Sequence, residues 1–147
     1  MKRMRKAHAL GAVSIFWLSA CGGDAGGGAG SSAEGSEPIR VDLAAVNQSA
    51  AEGSVSLTLS EGSYSAVVSM DTHRGPGEYP VEIHTGSCAA MGPLAVELTP
   101  VEGQEGGEGQ SRTTFSASEL PAGGSYYIEL RDAQDDSVLG CGDLPDL

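Results

Sequence analysis

Past residue 6 the chain contains no lysine, and its only remaining fixed cations are Arg40, Arg74, Arg112 and Arg131. So few positive charges exclude nucleic acid as a partner, because phosphate binding needs clustered Lys and Arg. They also exclude docking of the protein surface on anionic headgroups. Histidine is equally scarce: beyond His8 there are only His73 and His84. With two imidazoles, no Ser-His-Asp, Cys-His or paired-carboxylate arrangement stands out, and no hydrolytic enzyme class is indicated. There is no Cys-x-x-Cys spacing, which excludes a thioredoxin-like redox pair. No internal repeat and no amphipathic helical stripe are present, which argues against solenoids and helix bundles.

What is present begins at the N-terminus. Lys2, Arg3, Arg5 and Lys6 precede an apolar run from Ala7 to Leu18, broken only by His8 and Ser14. A charged region, a short apolar region and small residues in sequence predict a secretory leader, too short to span a bilayer as a stable helix. Leu18-Ser19-Ala20-Cys21 resembles the lipobox of bacterial lipoproteins, which implies cleavage before Cys21 and acylation of its thiol and new amino group. Membrane association then comes from the lipid, and at least two acyl chains suffice for stable anchoring. Gly22 in place of Asp, by resemblance to the enterobacterial sorting rule, permits outer-membrane delivery. The expected address is the bacterial cell envelope, lipid-anchored and extracytoplasmic.

Residues 1–20 hold four of the 8 basic residues and none of the 20 acidic ones, so the chain from Cys21 onward carries 4 − 20 = −16. That charge suits a soluble, exported surface. With Cys21 assigned to lipid, Cys88 and Cys141 remain as a pair in an oxidising compartment. A bond between them closes a loop of 141 − 88 = 53 residues, and the chain-entropy estimate for such a loop is roughly 4 kcal/mol. The bond is expected to be structural.

Residues 21–37 read as a lipidated, flexible tether: GGDAGGGAGSSAEGSE has no large apolar side chain and spans about 20–24 Å on average. A single domain is expected over 38–147. There the hydrophobic period is two. Ile39, Val41 and Leu43 alternate with polar residues, as do Val55, Leu57 and Leu59, and Tyr126, Ile128 and Leu130. This alternation predicts half-buried strands over 39–46, 53–60, 64–70, 79–84, 94–99, 112–117, 125–131 and 138–143. Turn signals separate them at Glu61-Gly62-Ser63, Gly75-Pro76-Gly77, Met91-Gly92-Pro93 and Pro121-Ala122-Gly123-Gly124. Glu102–Gln110 lacks the ordered ligand spacing of an EF-hand and reads as a solvated, mobile hairpin loop. Asn47-Gln48-Ser49 matches a glycosylation sequon, which carries no information behind a bacterial lipobox. Seven or eight short strands at this spacing predict an all-β antiparallel sandwich or closed barrel.

Gly77-Glu78-Tyr79-Pro80-Val81-Glu82-Ile83-His84-Thr85-Gly86-Ser87-Cys88, followed by Gly92-Pro93 and later by Gly140-Cys141-Gly142-Asp143, resembles the copper/zinc superoxide dismutase-like superfamily. It is most similar to the small extracellular bacterial branch, with the secreted chordin-type (CHRD) domain a near neighbour. The resemblance covers about residues 38–147. It implies an eight-stranded Greek-key β-sandwich/barrel and supports the Cys88–Cys141 bond. The family's metal site does not carry over. Of the His-x-His copper pair the chain has Glu82 and His84; Arg131 falls at the later copper histidine, Leu94 at the bridging histidine and Val138 near the active-site arginine. The zinc loop is absent. Copper that cycles between oxidation states needs several imidazoles, so superoxide dismutation is not expected, and no cofactor is.

Three functional classes follow. The first is a non-catalytic, lipid-anchored domain whose partner is an envelope protein or ligand. The second is a copper- or zinc-binding lipoprotein using His84, Glu82 and His73. The third is a degenerate superoxide dismutase-type enzyme. By phase, Glu82 and His84 leave their strand opposite Val81 and Ile83, which predicts an exposed or hydrogen-bonded His84. Arg131 lies in phase with Glu129, opposite Ile128 and Leu130. The superfamily topology brings these strands together, so a Glu82–Arg131 ion pair, of bidentate capacity, is expected where metal otherwise sits.

Overall fold

The structure, a computed structural model, describes residues 36–147. The leader, Cys21 and nearly all of the tether lie outside the described residues. Eight antiparallel strands and one short 3-10 turn make up the rest: β1 Ile39–Ala45, β2 Glu52–Ser60, β3 Ser63–Asp71, β4 Gly77–Ser87, β5 Ala90–Gly103, β6 Glu108–Ser116, β7 Tyr126–Arg131 and β8 Val138–Asp143. They hydrogen-bond in the order β5-β4-β7-β8-β1-β2-β3-β6. Among the described residues no helix is long and apolar enough to cross a membrane.

The sheet folds on itself as a nearly closed sandwich. One layer is β1-β2-β3-β6 and the other is β5-β4-β7-β8. The first half of β1 pairs with β2 through Ile39–Leu43, while Ala44 and Ala45 pair with Cys141 and Gly140 of β8. The opposite seam, between β5 and β6, is bridged by side chains. The Thr99 amide donates to Thr113 Oγ1 at 2.7 Å, and the Ser111 hydroxyl donates to the Thr99 carbonyl at 2.8 Å. Such bridging satisfies polar groups that an open edge leaves unpaired. β4, β5 and β6 follow one another, with β3 beside β6 and β7 beside β4, which makes two overlapping Greek keys.

The core is what the period-two pattern predicts. Val55 and Leu57 of β2, Ala66 and Val68 of β3, Val81 and Ile83 of β4, and Ile128 and Leu130 of β7 are each 1% exposed or less. Tyr64 and Phe115, cross-strand partners, add a tilted aromatic pair with centroids 5.6 Å apart. At one end of the sandwich, Arg74 in the β3–β4 crossover donates to Asp132 after β7 at 2.7 Å, tying the crossover to the β7–β8 turn. The buried Asp132 also accepts from the Gln134 amide, so its carboxylate is satisfied on two sides.

Three boundaries differ from the sequence reading. Met91-Gly92-Pro93 is not a turn; the chain reverses at Cys88–Ala89, and β5 already pairs with β4 at Ser87–Ala90 and Gly86–Met91. Bulges between Ile83 and Gly86 absorb the misfit, so a Gly-Pro pair sits inside a strand where irregular pairing tolerates it. The mobile loop expected over Glu102–Gln110 is a tight turn of four residues, 104–107. The Gln104 amide donates to Glu108 O at 2.9 Å, and Gly107 adopts a positive φ of 88° against His73. The strand expected at 112–117 therefore starts at Glu108, and Ala117–Glu119 form a 3-10 turn capped by a Ser116/Glu119 capping box, which the Ser-x-x-Glu spacing encodes.

Candidate functional site

The outward face of β4 and β7 concentrates the polar chemistry of the domain. Register places Glu82 directly opposite Glu129 and His84 opposite Tyr127. On the other side of β4, Glu97 of β5 also faces Glu82. Like charges directly opposite on neighbouring strands repel, so this row of carboxylates needs cations. Arg131 supplies a fixed one, and the His84 ring adds hydrogen-bonding contacts. Arg131 Nε lies 3.5 Å from Glu82 Oε2 and 3.4 Å from Glu129 Oε1. His84 Nε2 lies 3.0 Å from each of the same two oxygens.

His84 is held on three sides. Its Nδ1 sits 3.1 Å from the Gly92 carbonyl oxygen, an atom that only accepts, so Nδ1 carries a proton and Nε2 is the nitrogen left facing the carboxylates. Its ring stacks on Tyr127, centroids 5.3 Å apart. Gly92 is glycine for a steric reason: a Cβ there would stand 2.2 Å from the Thr85 carbonyl oxygen. Burial, then the Glu129 carboxylate, pushes the Tyr127 hydroxyl above its ordinary pKa. Arg131 makes its shortest bond elsewhere, 2.6 Å from Nη1 to Asp136 Oδ1, and this bond raises the guanidinium pKa further above any working pH.

The β4–β5 hairpin covers part of this face. Cys88 at its tip is bonded to Cys141 of β8, with Cα atoms 6.0 Å apart, inside the range of about 4.4–6.8 Å that disulfides occupy. The Cys88 amide donates to Asp143 Oδ1 at 2.7 Å. Cys141 is in turn the cross-strand neighbour of Glu129.

Several expectations change here. His84 points away from Val81 and Ile83 as its phase predicts, and of the two expected environments, exposed or hydrogen-bonded, it takes the second. It is buried, 9% accessible, because the hairpin, Tyr127 and the carboxylates enclose it. His73 does not join His84; it lies 3.1 Å from Asp71 Oδ1 in the β3–β4 crossover. The third acid–base group beside Glu82 and His84 is Glu129, and the ligand atoms of these three lie within 4.8 Å of one another. Arg131 approaches Glu82 through Nε alone, a single contact and not a bidentate fork. Glu129, Tyr127 and Asp136 are the participants that the sequence reading does not assign to the site. One signal for Glu129 was available: a carboxylate in the middle of the otherwise apolar Tyr126-Tyr127-Ile128-Glu129-Leu130 run, since buried charges are rare unless paired.

The copper pair implied by the resemblance does not fit these residues. One imidazole is present, and a fixed guanidinium touches both carboxylates, where it repels a metal cation. Compared with known proteins, the chain matches no family model and no curated sequence.

Proposed function

We propose that this chain is a lipid-anchored, extracytoplasmic β-sandwich of superoxide dismutase-like type that acts in the cell envelope by binding and not by catalysis. The observation that carries the reading is the internally bonded polar cluster. Glu82 and Glu129 share one guanidinium and one imidazole, so the face where related folds hold metal is stabilised without it. The Cys88–Cys141 disulfide supports an oxidising compartment. The two overlapping Greek keys support the superfamily resemblance. Fold by itself fixes no activity.

The test is direct. Wild-type protein expressed in a bacterial host with a clickable fatty acid takes up label and sediments with membranes. Cys21→Ser abolishes both label and sedimentation. Equal sedimentation of the two forms without label overturns the anchor.

A second reading is favoured by the donor set itself. One imidazole nitrogen and two carboxylate oxygens within 4.8 Å suit a single zinc-like cation, provided Arg131 swings wholly to Asp136. Elemental analysis of untagged protein decides it: about one zinc per chain, lost in His84→Ala, supports the metal reading, and none refutes it.

A further inference from the structure

Beside the cluster lies a cleft of about 260 Å³. Its walls are apolar: Val46 after β1, Val138 of β8, the Cys88–Cys141 disulfide and, at the rim, Met91, which is 71% exposed. Two polar residues line it, Asn47 and Glu129. Glu129 is 1% accessible, and one of its oxygens is spent on Arg131 and His84. Its second oxygen, Oε2, is buried without any hydrogen-bond partner. An unpartnered, buried carboxylate oxygen is costly, and Glu129 is one of the residues lining the cleft, so a donor entering there can supply the missing partner.

Charge sets the sign of that donor. Glu82, Glu129 and Asp136 surround a single guanidinium, so the group remains net negative whether or not His84 is charged. Asn47 adds acceptor capacity. Its amide nitrogen already donates to the Val138 carbonyl at 3.2 Å, which leaves its side-chain oxygen available. The Val46 amide bonds to the Leu139 carbonyl at 3.0 Å and fixes this wall. At on the order of 30 Å³ for each water-sized group, the cleft takes a short chain of a few methylenes with a charged head.

We propose that this cleft binds a primary alkylammonium, its head on Glu129 Oε2 and Asn47 and its methylenes against Val46, Val138 and Met91. The same chemistry is offered by a free amine and by a lysine side chain of a partner. A second copy of this chain is an unsuitable source, because no lysine follows residue 6.

The experiment titrates the full-length, disulfide-bonded chain with n-butylammonium, n-butanol and Nα-acetyl-lysine methylamide. It follows the Met91 methyl and Asn47 side-chain amide signals by NMR. A saturable shift with n-butylammonium is expected, with n-butanol at least about tenfold weaker, since it leaves the carboxylate without a charged donor. Glu129→Gln and Val138→Phe should each weaken binding by about tenfold or more. Where Glu129→Gln perturbs folding, Val138→Phe, which fills the cleft and leaves the polar cluster intact, decides. A shift with the lysine derivative assigns the amine to a partner's side chain, and one with butylammonium alone assigns it to a free amine; either supports the site. No saturable shift with either amine overturns it, as does equal binding of n-butanol.

Discussion

β3 and β7 carry the same alternating code and end in different environments. In β3, Tyr64, Ala66, Val68 and Met70 are buried while Ser63, Ser65, Val67, Ser69 and Asp71 are half-buried, a regular one-in, one-out pattern. In β7 five consecutive residues, Tyr126 to Leu130, are buried, and only Arg131 is half-buried. Both strands place their even-numbered side chains in the same core. The difference lies on the outer side: water covers β3, whereas the β4–β5 hairpin, held to β8 by a disulfide, covers part of β7. A polar residue facing outward is therefore solvated on one strand and enclosed on the other. Once enclosed it needs partners, and the Glu82–His84–Glu129–Arg131 network provides them.

The largest test of this contrast is to remove the cover. The double replacement of Cys88 and Cys141 by Ser should lower stability by roughly 2–5 kcal/mol in denaturant titrations. In hydrogen exchange it should deprotect the amides of β7 and β8 well before those of β3. Uniform deprotection would show that the hairpin is not what distinguishes the two faces.

Breaking the network beneath the cover comes next. Glu129→Ala leaves His84 and Arg131 short of an acceptor and is expected to cost about 1–3 kcal/mol. Replacing Arg131 as well should cost less than the sum of the two single losses, because both variants remove the same Glu129–Arg131 contact. Additive losses in the double variant would argue that the groups do not act together.

Tyr127 offers a gentler probe. Its pKa is raised in the folded chain, first by burial and then by Glu129. The folded state therefore holds its proton more tightly than the unfolded state, whose tyrosines titrate near pH 10. The stability linked to this group is fully present below about pH 10 and is lost as pH rises through the folded value. Denaturation midpoints measured upward from pH 9 should fall in wild type and fall less in Tyr127→Phe. Parallel curves for the two proteins would remove Tyr127 from the account.

The smallest effect belongs to the open face. Ser56→Ala, on the solvated side of β2, should change stability by no more than about 0.5 kcal/mol. A loss comparable to that of Glu129→Ala would mean that this face, too, is covered.

The sequence alone determined the inward residues and the fold class. Val55, Leu57, Val81, Ile83, Ile128 and Leu130 must leave water together, and a period of two leaves only sheets able to do that. Most turns were legible because Gly62, Gly75 and Gly123 adopt positive φ, a conformation that glycine reaches without strain. Tertiary structure decided the rest. Period-two phase says which side of a strand a residue takes, not what lies over that side. His84 was enclosed by a hairpin, Glu129 was drawn into its cluster by pairing with Glu82, 129 − 82 = 47 residues away in sequence, and His73, in the β3–β4 crossover, was left with Asp71. These outcomes depend on which strands pair and in what register, and no local pattern in the chain encodes that.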